Sequence, residues 1–378
     1  MKNNNLSIYM VLFFFLNFLS CGKDSDVVDD QDQLLTENNS ETINNDSNNT
    51  SSSNNNGVES DHLITSPSQS KASSLLMTSS EYSQWINDDQ FRDGFFRNNL
   101  FKDIYKRFTD KYDFIFLVLN EENIPQNINY YGMLIDVSNN VSGIGLSQYD
   151  YSSDYGSSGK LKAVMQLTGL SFLQNGPALH ELMHNWGNYS LPSENVDDAG
   201  SNLNSYSYYG HWGFTGGSTL GQLGGFKQST LQDLGSNQYS VSAFGPFANG
   251  GNSIPFNEFE LYLMGMIPLS SVNAFDLFNK ITSLEITDAK YTFSANSRIT
   301  YTQDILENLL GPRLPSYTAS QKEFNLLVIV ITDSPLNDEQ WNTINTAAEW
   351  FSFEGPDDSY LYNFWEATNG IGSIVIGD

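Results

Sequence analysis

The sequence predicts an α+β fold built around one metal-ligating helix, and three observations carry that prediction. Two long apolar runs, residues 112–119 (YDFIFLVL) and 324–332 (FNLLVIVIT), have the length and β-branched content of buried strands. Phe96, Leu100, Ile104 and Phe108 recur every fourth residue, the stripe of an amphipathic helix. Between these features lies Asn175-Gly176-Pro177-Ala178-Leu179-His180-Glu181-Leu182-Met183-His184-Asn185-Trp186-Gly187, which contains His-Glu-x-x-His.

The chemistry of that motif follows from helical spacing. Residues four apart lie one above the other, so His180 and His184 can grip a single cation together. Glu181 then projects beside the ion, where a carboxylate can take a proton from water. Pro177 suits a first helical position, Ala178, Leu179, Leu182 and Met183 supply an apolar face, and Gly187 suits the residue just past a helix end. The competing reading is a pair of core histidines. The chain holds 4 histidines in 378 residues, and two of them fall in this one turn, which favours the metal.

Taken from the start, residues 1–20 have the form of a targeting segment: Lys2 gives a positive beginning and residues 9–19 (YMVLFFFLNFL) an apolar core too short for a comfortable membrane span. Leu19-Ser20-Cys21-Gly22 resembles the lipobox of bacterial lipoproteins, with Phe18 where leucine is usual. The resemblance implies cleavage before Cys21, lipid on its thiol, and an outer-membrane lipoprotein facing the periplasm or the cell surface. An ordinary secretory signal, and a secreted protein, is the alternative. Cys21 is the only cysteine, so no internal disulfide forms and the fold rests on its core and on metals.

Residues 21–73 are expected to be a disordered tether rich in Asn, Ser and Asp. No Phe, Trp or Tyr occurs between Gly22 and Glu81, so little surface can be buried there. Asp24, Asp26, Asp29 and Asp30 resemble the acidic surface-export run of some Gram-negative lipoproteins, which solvation explains equally well. His62 falls in this stretch and is a poor ligand candidate. The net charge of −27 argues against nucleic acid or an acidic polymer as partner.

Folded sequence is expected from near Leu75, as a region 74–270 bearing the site and a lobe 271–378 belonging to the same domain. After the 96–108 helix and the 112–119 strand, residues 131–137 and 161–167 are further strands, with a short one at 141–147. Residues 188–257 are crowded with Gly, Ser, Asn and Tyr and predict long loops, a length that is uncommon unless it serves a site. Asn337 caps a helix presenting Trp341, Ile344, Ala348 and Phe351, with Gln340 placed for a capping box. Residues 364–376 suggest a closing strand pair around Asn369-Gly370.

A catalytic zinc needs a third protein ligand. With His62 set aside, His211 in Tyr209-Gly210-His211-Trp212-Gly213 is the remaining histidine, and the flanking glycines allow close approach to the helix. Asp197, Asp198, Glu194 and Glu260 are the oxygen alternatives. The loop 136–158, heavy in Asp, Asn and Ser, offers a possible calcium site or simply solvated turns.

Helix, strands, then His180-Glu181-x-x-His184-x-x-Gly187 resembles the zincin metallopeptidases. Glu260-Leu261-Tyr262-Leu263-Met264-Gly265-Met266-Ile267-Pro268 is similar to the Met-turn of their metzincin branch. The resemblance covers about residues 75–270. It implies a twisted mixed sheet with a backing helix and an active-site helix, followed by an irregular C-terminal lobe. It makes His180, His184 and His211 the zinc ligands, Glu181 the general base and then proton donor, and Met264 an apolar floor under the rings. One departure stands out: metzincins carry the third histidine three residues after the glycine, where this chain has Ser190. The gluzincin pattern, with a downstream glutamate ligand, is the competing template, although Glu194 falls early for it.

The function expected is zinc-dependent hydrolysis of extracellular or periplasmic proteins or peptides by a monomer. An extended substrate would lie along an exposed strand edge, with residues 141–147 and 161–167 as candidates. Tyr208, Tyr209 and Tyr262 are the candidate phenols for oxyanion support. The alternative is a non-catalytic surface binding module on the same scaffold with a structural metal; intact Glu181 counts against it.

Overall fold

Strands that are apolar on every residue need cover on both faces. A computed structural model of the chain describes residues 61–191, 210–213, 216–242, 251–287 and 290–377. The targeting segment, Cys21, the acidic run and most of the tether lie outside the described residues, as do Glu194, Asp197, Asp198, Tyr208 and Tyr209.

In chain order the elements are β1 (Leu63–Thr65), β2 (Ala72–Leu76), α1 (Ser79–Asn87), α2 (Gly94–Arg107), β3 (Phe114–Leu119), β4 (Gly132–Asp136), β5 (Ser138–Asn139), β6 (Tyr149–Asp150), β7 (Ala163–Leu167), α3 (Phe172–Asn175) and α4 (Ala178–Gly187). They continue with β8 (Gln232–Gly235), β9 (Gln238–Val241), α5 (Glu258–Met264), β10 (Phe275–Ile286), β11 (Tyr291–Tyr301), α6 (Gln303–Leu310), β12 (Glu323–Thr332), α7 (Asp338–Phe351), α8 (Phe364–Ala367) and β13 (Ser373–Ile376).

The main sheet is seven-stranded and mixed, in the order β1-β2-β12-β3-β7-β4, with β13 also on β12. β2, β13 and β3 run parallel to β12, and β7 runs parallel to β3; β1 and β4 are antiparallel to their neighbours. Side chains alternate across it. Phe114, Phe116 and Val118 of β3 join Phe324, Leu326, Val328 and Val330 of β12 in a core shared with α4, α5, α7 and α8. Ile115, Leu117 and Leu119 join Leu327, Ile329 and Ile331 in the opposite core, under α1 and α2. Residues 112–119 and 324–332 read as buried strands because both of their faces are covered. A second, four-stranded sheet, β10-β11-β9-β8, has its own small aromatic core around Phe278, Phe293 and Tyr239.

Several expectations need correcting. Residues ahead of the expected start near Leu75 take part in the fold, because Leu63–Thr65 pair with residues 74–76 of β2 at the sheet edge. The lobe 271–378 is not irregular: it carries strands and helices, and its β12 is the central strand of the main sheet. Residues 141–147 form no strand, only the bridge Ser142–Leu314. β7 is interior, hydrogen-bonded to β3 on one side and β4 on the other, so it presents no free edge; β4 is the edge strand on that side. Residues 364–376 are not a strand pair: Asn363 and Glu366 form a capping box that starts α8, and β13 returns to β12 in parallel. The expected box of Asn337 and Gln340 is present at α7, with Ile344, Ala348 and Phe351 buried.

His62 lies within the ordered fold and is held between two carboxylates. Its Nδ1 meets Asp103 of α2 at 2.7 Å and its Nε2 meets Glu81 of α1 at 3.0 Å. Lys106 also reaches Asp103, and Asp61, each at 3.2 Å. Burial works against the His62 charge, but the Asp103 and Glu81 bonds outweigh it and raise its pKa above 6.5. A histidine raised in the folded state stabilises fully below its unfolded value and loses that contribution as pH rises through its folded value. Urea titrations of the protein and of His62→Gln should therefore differ most below pH 6.5 and converge above it. A difference that does not change with pH would remove the ion pairs from the account.

Candidate metal centre

Helix α4 is held by packing and by hydrogen bonds. Trp186 packs edge-on to Phe114 of β3 and Phe324 of β12, with ring centroids 6.0 and 5.7 Å away. Its first turn lacks a side-chain cap of its own, and Asn252, distant in sequence, fills that role. The Asn252 Oδ1 accepts the Leu179 amide at 3.1 Å, while its Nδ2 donates to the Leu173 and Gln174 carbonyls.

His180, His184 and His211 come together, and among the described residues they are the one group of three or more metal-capable side chains that converges. His180 and His211 are buried and His184 is partly so. His180 Nδ1 donates to the Gln222 carbonyl at 2.7 Å, and His184 Nδ1 donates to Asn188 Oδ1 at 2.6 Å. Each bond fixes the proton on Nδ1 and leaves the Nε2 lone pair facing inward. Burial, then the neighbouring His184, pushes His180 down to about 3, and burial pushes His184 down to about 4. Burial lowers His211 as well. The rings are therefore neutral near pH 7.

His180 Nε2 lies 3.2 Å from His184 Nε2 and 3.1 Å from His211 Nε2. The three Nε2 atoms thus stand close enough for one cation to be shared among them. Tetrahedral Zn–N bonds of about 2.0–2.1 Å would hold the nitrogens roughly 3.3 Å apart, so the donor set fits such an ion.

Three glycines permit the closeness. A Cβ on Gly210, at φ +80°, would collide with Asn188 Oδ1 and stand 2.7 Å from His184 Nδ1. A Cβ on Gly187 would collide with Leu223 and stand 3.3 Å from Trp212. Gly187 is the last residue of α4 rather than the residue beyond it, and what it supplies is room for the chain carrying His211. On the other side, a Cβ on Gly132 of β4 would lie 2.7 Å from Glu181 Cγ, so the buried Glu181 side chain rests against the edge strand.

The remaining expected residues lie as follows. Glu260 is fully buried on α5, with its carboxylate directed to backbone amides and outside the histidine cluster. Met264 is buried at the end of α5, in the core shared with Leu179, Leu182 and Met183, and Gly265 makes the left-handed turn that follows. Tyr262 is buried on α5, and burial raises its phenol. The loop 136–158 brings no three carboxylates together; Asp150 accepts the Ser152 amide instead.

Two features were missed from the sequence. Asn188 stands four residues after His184, and that spacing was a usable signal. The Gln222 contact uses a carbonyl, which every residue carries, so no residue type could have marked it. No protein-family model, curated protein or solved structure matches this chain.

Replacing Gly210 by alanine should weaken zinc binding by roughly 10–100-fold in a chelator competition, because it displaces the His184–Asn188 contact. Unchanged affinity in a folded Gly210→Ala protein would mean that the loop yields there at no cost to the site.

Proposed function

We propose that the protein is a zinc-dependent endopeptidase of zincin type, acting on proteins or peptides outside the cytoplasm. The observation that carries the reading is the convergence of the three imidazoles of His180, His184 and His211, with Glu181 one residue along the same helix as the first two. The Nε2 atoms of His180, His184 and His211 would hold the ion. When bound, zinc supplies Lewis acidity toward a water molecule and a peptide carbonyl.

The protein's own contribution is position and proton transfer. Glu181 lies in the first turn of α4, buried beside the two histidines of that helix. It takes the proton of the attacking water as the water oxygen adds to the carbonyl carbon, then gives that proton to the amide nitrogen as the C–N bond breaks. β4 is an antiparallel edge strand whose Gly132 touches Glu181, so an extended substrate can add to the sheet beside the carboxylate. Gly132, having no side chain, leaves room for Glu181 to rest against the strand. Met264 fits the part of an apolar floor, being buried in the core below α4. Attachment through lipid at Cys21 and a tether would place the enzyme at the outer membrane, and no helix among the described residues is long and apolar enough to cross a membrane.

Casein or gelatin cleavage by the purified protein should vanish with a chelator and return with zinc. Glu181→Gln should lower the rate by about 100-fold or more while the zinc content measured by mass spectrometry stays at one per chain. Zinc bound by both proteins with no cleavage of any protein substrate by either would overturn the peptidase reading in favour of a binding module.

A further inference from the structure

The carboxylate of Glu260 has no counter-ion among the described residues and yet is fully buried. Its Oε1 accepts the Leu223 amide at 2.7 Å and its Oε2 accepts the Asn257 amide at 2.9 Å, with the Gln222 amide as a further donor. The Asn257 bond is half of the capping box that starts α5. The Leu223 and Gln222 bonds have no part in that cap.

What they hold is a short segment that touches the metal centre and its flanking residues four times. The Gln222 carbonyl accepts His180 Nδ1 at 2.7 Å. The Leu223 carbonyl accepts the amide of Trp212, next to His211, at 2.7 Å, and Gly225 donates to the Gly213 carbonyl at 3.0 Å. The Leu223 side chain fills the space over Gly187 of α4. Gly221 completes the clamp: a Cβ there would stand 2.7 Å from the Glu260 carboxyl carbon, so only glycine lets the backbone lie on that carboxylate.

We propose that Glu260 is a positioning residue of the metal centre, which through the Gln222–Leu223 backbone fixes the tautomer and aim of His180 and the path of the chain bearing His211. The proposal rests on the three histidines binding a metal. A carboxylate suits the task because one group must accept amides from two directions, and a neutral amide side chain would turn an N–H toward one of them. Imidazole ligands depend on such outer contacts, whose loss costs roughly 10–100-fold in affinity.

The test compares zinc dissociation constants, by chelator competition, for the full chain, Glu260→Gln and Glu366→Gln. The last makes the same change in the capping box of α8, in which Glu366 is paired with Asn363. Glu260→Gln should bind zinc roughly 10–100-fold more weakly and alter the visible spectrum of the cobalt-substituted protein, while Glu366→Gln does neither. Equal affinity and an unchanged cobalt spectrum in folded Glu260→Gln would overturn the proposal. A parent chain that binds no zinc would instead overturn the metal centre itself. Should Glu260→Gln fail to fold, Gly221→Ala pushes the same segment off the carboxylate; weaker zinc binding supports the proposal, and parental affinity overturns it.

Discussion

Three neutral imidazoles converge on one point in a buried space, and the architecture is arranged to keep them there. Packing and hydrogen bonds from several elements hold them. Trp186 wedges α4 onto the central strands, Asn252 ties its first turn, and Trp212 stacks against Phe259 of α5 with centroids 5.2 Å apart. The first two contacts join the motif helix to parts of the chain remote from it in sequence, and the third does the same for the segment bearing His211.

The central strand makes this interdependence general. β12 arrives late in the chain and inserts between β2 and β3, so the sheet supporting α4 is incomplete until residues beyond 323 are in place. The buried cation Arg313 points the same way: it donates to the Leu263 carbonyl near the end of α5, where the helix dipole is negative, and to Ser320 Oγ. Burial lowers its pKa to about 10, which leaves it charged. The part of the chain expected as a C-terminal lobe is thus what holds the helices of the site in place.

The legible parts of the sequence were those in which residue type and spacing coincide with local geometry. The 3.6-residue period placed α2 and α7, and the unbroken apolar runs placed β3 and β12. His211 could be named by elimination because histidine is scarce. Less legible were features decided by pairing. β10 and β11 form a long hairpin whose residues are mixed in polarity, since its apolar faces meet only a small core. The sheet order could not be read at all, because nothing in a strand such as FNLLVIVIT states which neighbours will cover it. His62 was misplaced for a related reason: its partners Glu81 and Asp103 come from two helices that meet it only in the fold.

By itself the sequence determined a helix with two imidazoles and a carboxylate on one face, since i and i+4 spacing is a local property of the backbone. It also determined which stretches must be buried, through their uninterrupted apolar character. Only the tertiary structure decided that His211 meets the other two rings and that Gly187 is a seat for Leu223. It alone made β4, rather than β7, the edge beside Glu181. Those outcomes depend on backbone carbonyls, glycine contacts and strand order, which are set by residues far apart in the chain and leave no mark on any one segment.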